Sequence, residues 1–302
     1  MMRGTLSCLI LVVIASVALT TGPSSLAQIN LPKILAWERT LRGTDEEHLR
    51  WPVAVAAAST EEIAVADAFG PRVLLFRKTG ISWELDRTAS LPAVPIALTH
   101  DGRRYVAALR EGQGLVALEG PQLLQRRIAV PPGVVPGPIA AKPDGSLLVY
   151  DSAGGKVLRM TTASDVASEV SIDGHVTALA VAPDGGFYVA VGEQASIQRH
   201  HADGDLLARW QLPGEGPVPA WPSAIAVEPG QGVAVIDRHG ARILVIDNEG
   251  RMLGTGSRRG WEPGLLLFPS AIARMPDGRF VIADQGNGRA QIFRRTDRGA
   301  LP

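Results

Sequence analysis

The sequence predicts an all-β ring of six similar four-stranded sheets, and three observations support this prediction. The chain of 302 residues contains 33 Gly and 22 Pro, well above what a helical bundle tolerates. Its residues are 46% hydrophobic but only 5% aromatic, so Val, Ala, Leu and Ile must form the core. In addition, one sequence frame recurs six times after the N-terminal region.

Charge and cysteine content exclude several classes of protein. The 30 basic residues balance the 30 acidic ones, which opposes a nucleic-acid-coating protein and a highly charged disordered chain. The single cysteine, Cys8, excludes a disulfide framework and a zinc site built from cysteines. We therefore expect a globular chain with no nucleic-acid partner.

Residues 1–27 have the pattern of a cleavable secretory signal peptide. Arg3 gives a positive start, an apolar run covers residues 6–19, and the small residues Ser25 and Ala27 precede the predicted cut. The run is short for a membrane span, which needs roughly 20 residues. We expect the mature chain to be exported to the periplasm or the extracellular space, with no cysteine and no membrane span. An uncleaved N-terminal anchor is the alternative.

Two segments near the C-terminus align without a gap and define the repeated frame. Residues 222–237 and 269–284 both begin with Pro-Ser-Ala-Ile-Ala, and both end on an Asp fifteen residues after the first Pro. Three further copies are residues 52–67, residues 136–151 and residues 176–191. A sixth copy starts near Ala93, and in it the frame slips by one residue before Leu109.

Each copy is predicted to form four strands, in the same order. Strand one is a short Ala/Ile/Val run such as residues 224–227, and a Pro-Asp-Gly hairpin turn or its equivalent leads to an apolar strand two such as residues 280–283. A glycine-rich turn leads to strand three, such as residues 242–246, and a second hairpin leads to strand four. Small residues in strand one suit a crowded central channel where the sheets converge.

The last copy lacks a fourth strand of its own, because few residues follow its third strand at residues 291–293. We expect the N-terminal segment Ile34–Leu41 to supply that strand, to close the ring and to remove the open edge. The predicted fold is thus a six-bladed β-propeller of four-stranded antiparallel blades, formed by residues 28–302. Two unrelated β-domains are the alternative, although no Ser/Pro linker divides the mature chain.

The repeated pattern resembles the NHL-repeat family of β-propellers. It reads Pro-x-x-Ile-Ala-x-x-x-Asp-Gly-x-x-x-Val-x-Asp-x-x-x-x-Arg, and the blades that begin at Pro136, Pro222 and Pro269 match it best. The copies that begin at Ala93 and Val176 depart from it at the closing Asp. The resemblance implies the fold over the mature chain. It does not decide the activity, because NHL-like propellers include protein-binding sensors, RNA-binding domains and a few metal-dependent lyases.

An Asp followed five residues later by a basic residue is the most regular polar feature. Because a feature repeated in each blade usually supports the scaffold, we expect each Asp to accept hydrogen bonds from the glycine-rich turn and to pair with the basic residue. A ring of charge pairs around a binding face is the alternative. The pairs are Asp67–Arg72, Asp151–Lys156, Asp237–Arg242 and Asp284–Arg289.

Residues that differ between blades are the candidates for a binding surface. The loops that enter strand one and the loops between strands two and three are expected to share one face, at the mouth of the channel. Large apolar side chains mixed with charges favour recognition there, and packing beside proline is the alternative. The predicted ligand-binding residues are Trp51, Arg110, His175, Trp221, Arg238, His239 and Phe268.

Histidines supply the alternative of a divalent metal such as zinc or calcium, since NHL-like lyases hold a metal with histidines near the axis. His48, His175 and His239 are expected on the mouth face, and nothing in their spacing forces them to converge. His100 and the His200-His201 pair are expected on the opposite face. The sequence shows no nucleophile elbow, phosphate-binding loop or His-Glu-x-x-His motif.

These observations predict an exported, non-catalytic propeller without a cofactor that binds a protein or a small envelope ligand. A metal-dependent lyase or hydrolase with its site at the channel mouth is the alternative, and the sequence leaves that choice open.

Overall fold

The computed structural model describes residues 31–297, and in this part of the chain nearly all regular structure is β-strand. The strands form six four-stranded antiparallel sheets arranged in a ring, which makes the fold a six-bladed β-propeller as predicted. The predicted signal peptide and its cut after Ala27 lie outside the described residues. Within residues 31–297 there is no helix long and apolar enough to cross a membrane.

The first strand of the chain, β1 (Leu35–Leu41), belongs to the last blade, and the other blades take four consecutive strands each. Blade 1 contains β2 (Pro52–Ala57), β3 (Glu62–Asp67), β4 (Arg72–Thr79) and β5 (Ser82–Ser90). Blade 2 contains β6 (Pro95–His100), β7 (Tyr105–Leu109), β8 (Leu115–Glu119) and β9 (Leu124–Ile128). Blade 3 contains β10 (Pro136–Ala141), β11 (Leu147–Asp151), β12 (Lys156–Met160) and β13 (Val166–Ser171).

The remaining blades repeat this order. Blade 4 contains β14 (Val176–Val181), β15 (Phe187–Val191), β16 (Ser196–His200) and β17 (Leu206–Gln211). Blade 5 contains β18 (Pro222–Glu228), β19 (Gly232–Asp237), β20 (Arg242–Ile246) and β21 (Met252–Gly256). Blade 6 contains β22 (Pro269–Arg274), β23 (Phe280–Asp284), a single 3-10 turn (Gln285–Asn287), β24 (Arg289–Arg295) and finally β1.

The N-terminal strand closes the ring, as the sequence predicted. In blade 6, β1 pairs antiparallel with β24, from Leu35 opposite Arg295 to Leu41 opposite Ala290. Leu35 and Leu41 are buried, and Leu35 packs with apolar residues of blades 5 and 6. The ladder and the burial together hold the two ends of the described chain side by side and cover the edge of β24.

The second strand of each blade is buried on both faces because neighbouring blades pack against it. Every residue of β23 (Phe280–Asp284) is buried, for example, whereas four of the five residues of the outer strand β9 are exposed. A strand covered on both faces reads as a continuous apolar run, which explains the Val/Ile/Ala-rich second strands of the sequence.

The sequence frame corresponds to one fixed strand register. The first Pro of strand one lies opposite the closing Asp of strand two, as in Pro52 opposite Asp67 and Pro222 opposite Asp237, and a bulge follows the Pro. In blade 2, Pro95 lies opposite Leu109, and one residue fewer separates these two positions than separates the Pro and the Asp in blades 1 and 5. This shorter connection accounts for the slip of the frame in that copy.

The central channel is narrow, and most of the side chains that line it are apolar. The first strands line a cavity of about 100 Å³. Hydroxyl groups bridge neighbouring first strands around it: Thr177 Oγ1 donates to the carbonyl oxygen of Pro222, Ser223 Oγ to that of Pro269, and Ser270 Oγ to that of Pro52. Ligand cavities usually measure roughly 300–1,000 Å³, so recognition belongs at the ends of this channel and not inside it.

Candidate functional site

The closing aspartates hold the loops at the mouth of the channel. Asp237 accepts hydrogen bonds from the backbone N–H groups of Trp221 (3.0 Å) and Gly240 (3.1 Å) and pairs with Arg242 Nε at 2.9 Å. Asp67 likewise accepts from the N–H of Trp51 at 2.8 Å. One buried carboxylate thus joins the loop that enters strand one to the loop after strand two, so both loops lie on one face as predicted.

Three of the four predicted Asp–basic pairs form, and one is wrong. Besides Asp237 with Arg242, the pairs are Asp67 with Arg72 at 3.2 Å and the buried Asp284 with Arg289 at 2.7 Å. In blade 3, Lys156 instead pairs with Glu169 at 2.7 Å. Lys156 lies opposite Ser171 of the outer strand and Glu169 lies opposite Leu158, so the two are diagonal neighbours and the lysine side chain reaches towards the outer strand.

Blade 4 replaces the missing closing Asp with a different carboxylate. Val191 occupies the closing position, and Glu193 Oε1 accepts the backbone N–H of His175 at 2.7 Å. The entering loop is therefore held in this blade too, from a residue two positions further along the chain.

A group of aromatic and arginine side chains lies at the mouth on blades 5, 6 and 1. We call it the mouth surface, and it consists of Arg50, Trp51, Phe69, Trp221, Arg238, His239, Arg259 and Phe268. The exposed fractions of Trp51, Phe69 and Phe268 are 51%, 56% and 49%. Aromatic and arginine side chains grouped on one face are the residue types that dominate recognition surfaces, so this group is the candidate site.

Phe268 is held in a strained position between two arginines. Its φ angle is +47°, in the left-handed region that a bulky residue rarely adopts. The guanidinium carbons of Arg238 and Arg259 lie 5.7 and 5.8 Å from its ring centroid. Arg238 Nη1 donates to the backbone oxygen of Phe268 at 2.9 Å. The surrounding contacts therefore fix an exposed ring at a cost in backbone strain, which is a common property of functional positions.

The strain at Phe268 follows from a local change in the repeated scaffold. In blades 1 and 5 the closing Asp binds the N–H of the residue just before the strand-one Pro, which is Trp51 or Trp221. In blade 6, Asp284 Oδ1 binds the N–H of Leu267 at 2.7 Å, the bond that Asp67 also makes with Arg50, and the bond to the residue just before the Pro is missing. Phe268 is thus left between the anchored Leu267 and the start of β22.

The arginines of the mouth surface have no carboxylate partners in the described part of the chain. Arg238 Nη2 donates to the amide oxygen of Gln285 at 2.6 Å, and Arg259 Nη2 donates to the backbone oxygen of His239. Arg50 lies 4.8 Å from the ring centroid of Phe69. Burial lowers the pKa of Arg238, yet arginine remains protonated in proteins. The surface therefore presents positive charge next to apolar rings.

Trp221 also has a packing role. It is half-buried, its ring lies 5.6 Å from that of His239, and a Cβ at Gly192 would lie 2.8 Å from it. The indole ring of Trp221 therefore packs directly against the backbone of blade 4 at Gly192, where a side chain would leave no room for it. Both interpretations of the mouth aromatics apply here: Trp221 packs, whereas Trp51 and Phe268 remain exposed.

The other predicted binding residues lie on different blades. Arg110 in blade 2 and His175 in blade 4 are exposed. In the described residues, neither side chain forms a hydrogen bond or ion pair with the mouth surface. Arg50 and Arg259 were missed by the sequence analysis. A signal for Arg50 existed, because it directly precedes Trp51, whereas Arg259 lies in a long loop without repeat pattern.

The structure does not bring the three candidate metal ligands together. His48 Nδ1 lies 3.3 Å from the carbonyl oxygen of Asp45, and His239 Nδ1 lies 3.1 Å from that of Pro219. Across residues 31–297, no three His, Cys, Asp or Glu side chains are grouped so that they could hold a metal ion. These residues do not fit the predicted zinc or calcium site, and the metal alternative stays a prediction for elemental analysis of untagged protein.

Comparisons with solved structures bear on the fold. A streptogramin B lyase structure matches with a TM-score of 0.61 and 13% identity, over 87% of this chain and 98% of that one. An auxiliary nutrient binding protein from Bacteroides thetaiotaomicron matches with a TM-score of 0.65 and 14% identity, over 87% and 76% of the two chains. The WD40 propeller domain of Doa1 matches with a TM-score of 0.59 and 13% identity, over 86% and 96%.

This chain shares the propeller fold with these structures, but the shared fold does not decide its function. At these identities the likeness shows the fold alone, and the similar structures include both lyases and a binding protein. No protein-family model and no curated protein matches the chain. The resemblance to NHL repeats therefore remains a prediction from the sequence.

Proposed function

We propose that this chain is an exported, NHL-like propeller that binds an acidic segment of another protein at the mouth surface and catalyses no reaction. The observation that carries the proposal is the set of three arginines, Arg50, Arg238 and Arg259, that contact exposed aromatic rings and have no carboxylate partner among residues 31–297. A guanidinium group offers paired donors that match a carboxylate, so an Asp or Glu of the partner completes this arrangement.

The exposed rings give the surface a second means of recognition. Phe69, Phe268 and Trp51 can bury an apolar side chain of the partner next to the ion pairs, and Trp and Arg are enriched among the residues that dominate binding energies. Because hydrogen bonds to the Phe268 backbone and to the Gln285 side chain already hold Arg238 in place, little side-chain entropy is lost when a carboxylate binds. An extended acidic segment that contains apolar residues fits this combination.

Site-specific photocrosslinking in the cells that naturally produce the chain tests the proposal. A photoreactive residue is placed at position 51 or 268 in the mouth surface. The matched controls are positions 124 and 206, where exposed leucines lie on the outer strands β9 and β17. We expect a discrete protein adduct from positions 51 and 268, none from positions 124 and 206, and loss of the adduct when Arg238→Gln and Arg259→Gln are combined.

Two outcomes would contradict the proposal. The same adducts from mouth and control positions would show that the mouth surface has no special affinity. An adduct that nuclease removes and protease does not would replace the protein partner with a single-stranded nucleic acid, which also binds through arginine and aromatic side chains.

A further inference from the structure

A cavity lies on the face of the propeller opposite the mouth, between the hairpins of blades 3 and 4. Its volume is about 360 Å³, and it is formed by the turns that follow β10 and β14. Lys142 and Arg159 are the cations in its lining, and Asp144 is the carboxylate. Most of the remaining lining is apolar or backbone, from residues such as Val181 and Pro183.

Lys142 is a largely buried lysine whose amine is not fully enclosed and has no partner. Only 7% of the residue's surface is exposed, and in the described part of the chain its amine makes no hydrogen bond or ion pair. Lysine is almost never fully buried unless it is paired, since the loss of hydration is costly for the charged form. Burial and then the neighbouring charge of Arg159 lower the pKa of Lys142, and Asp144 opposes them.

The same position in the other blades shows how the scaffold usually treats a charge there. Lys142 is the sixth residue after the start of strand one. In blade 2 this position is Asp101, which pairs with Arg104 at 3.0 Å, and in blade 5 it is Glu228, which pairs with Arg295 at 2.7 Å. The blades without a charge at this position have Ala58, Ala182 and Met275. The repeat therefore does not require a lysine, and where it admits a charge it supplies the opposite one.

Asp144 does not provide that opposite charge to Lys142. It accepts hydrogen bonds from the backbone N–H and the hydroxyl of Ser146, and it lies 3.7 Å from Arg159 Nη2. Its side chain is 58% exposed. With two cations and one carboxylate in the lining, the cavity keeps one positive charge uncompensated.

We propose that this cavity binds an oxyanion, the carboxylate or phosphate group of a small ligand, between Lys142 and Arg159. Lysine supplies a point charge and arginine a planar pair of donors, a combination suited to both kinds of oxyanion. The volume falls in the usual range for small-molecule sites. The site is separate from the mouth surface and does not depend on the function proposed there.

Thermal unfolding and calorimetric titration with simple anions test this site. Inorganic phosphate and succinate are compared with chloride at matched ionic strength. We expect phosphate, succinate or both to raise the Tm of the wild-type chain above its value in chloride, and the responding anion identifies the ligand class. Lys142→Met should abolish the increase, and Arg159→Gln should weaken the titrated affinity by at least about tenfold, as expected for a lost charge-assisted contact.

Lys156→Met is the matched control, because it removes the same charge from the same blade at a lysine paired with Glu169. It should keep the full response to the anion. Lys142→Met replaces a largely buried lysine with an apolar side chain of similar shape, and circular dichroism checks its fold. Arg159→Gln alters a partly exposed side chain and keeps the test valid if Lys142→Met fails to fold. Equal responses of the wild type and the folded cavity variants, or no response of the wild type to either anion, would overturn the proposal.

Discussion

Buried closing aspartates are the residues on which the mouth of this propeller depends. Asp284 is fully buried and accepts hydrogen bonds from Leu267 N–H, Asn287 Nδ2, Arg289 Nε and Gln291 Nε2. It therefore holds the loop with Phe268 and orders the turn that follows β23. Asp151 has the same place in blade 3 but has no basic partner of its own, because Lys156 pairs with Glu169.

This difference predicts unequal effects of two identical substitutions. Asp284→Ala should lower the free energy of unfolding by about 3–5 kcal/mol, because it leaves the buried Arg289 cation without its partner. Asp151→Ala should cost about 1–3 kcal/mol, since it leaves only neutral backbone donors unsatisfied. Urea unfolding measures both values. Equal losses for the two variants would contradict the role assigned to the Asp284–Arg289 pair.

His200 makes the stability of blade 4 depend on pH. The ring is buried, stacks on Phe187 at a centroid distance of 4.8 Å, and Nδ1 lies 2.9 Å from the carbonyl oxygen of Gly204. Burial lowers its pKa from 6.5 in the folded chain, so the unfolded chain binds more protons as the pH falls below that value. Unfolding therefore becomes easier in mild acid.

We expect the free energy of unfolding to fall as the pH is lowered through 6.5, and His200→Asn to make this fall shallower. Asparagine keeps an N–H donor for the carbonyl of Gly204 but does not titrate. The fall is not removed completely, because burial also lowers the pKa of His100. A variant that loses stability with the same pH slope as the wild type would show that His200 is not the titrating group.

Among the elements, β1 is the strand that closes the ring. It closes blade 6, and its buried Leu35 packs against blades 5 and 6. Leu35→Ala should lower the free energy of unfolding by about 2–5 kcal/mol. Leu206→Ala on the outer strand β17, where the side chain is half exposed, should change it by about 0.5 kcal/mol or less. Thermal or urea unfolding compares the two, and a small effect at Leu35 would argue against closure by β1.

The blades could be predicted because their sequence frame repeats. Departures from the frame could not be predicted, because each of them occurs only once. The four-strand order of each blade and the supply of the last strand by residues 34–41 were both predicted from the frame. The substitution of Glu193 for a closing Asp depends on where one loop places one carboxylate. The pairing of Lys156 with Glu169 likewise depends on a cross-strand neighbour that the frame does not specify.

The candidate site was predicted in the same uneven way. The frame identified Trp51, Trp221 and Phe268 as unusual residues before a strand-one proline, and the structure shows which of them are exposed. The left-handed backbone at Phe268 and the contacts of Arg259 with its ring depend on how loops from blades 5 and 6 meet. Lys142 could have been noticed as the one lysine at its position in the six copies, but its missing partner could be established only from the folded chain.

At the scale of the whole molecule, the two proposed sites lie on opposite faces of the ring and on different blades, and the narrow central channel does not join them. The cavity along the axis measures about 100 Å³ and is bridged by hydroxyl contacts between the blades. Changes at the mouth should therefore leave anion binding at Lys142 unaffected.

The predicted export of the chain has its own direct test. If the signal peptide is cleaved after Ala27, N-terminal sequencing of the protein purified from its natural cells should begin at Gln28. The purified protein should come from the periplasmic or extracellular fraction. A chain that begins at Met1 and stays with the membrane would instead favour the uncleaved anchor.

The central claim is that the mouth surface binds a partner through arginines and exposed rings, and the affinity for the crosslinked partner tests it most directly. Phe268→Ala, or Arg238→Gln combined with Arg259→Gln, should raise the Kd at least about tenfold, the effect of losing a residue in the energetic centre of an interface. Leu124→Ala and Leu206→Ala on the outer strands should leave the Kd within about twofold of the wild-type value. Unchanged affinity in folded mouth variants, or equal losses in the outer-strand variants, would contradict the account.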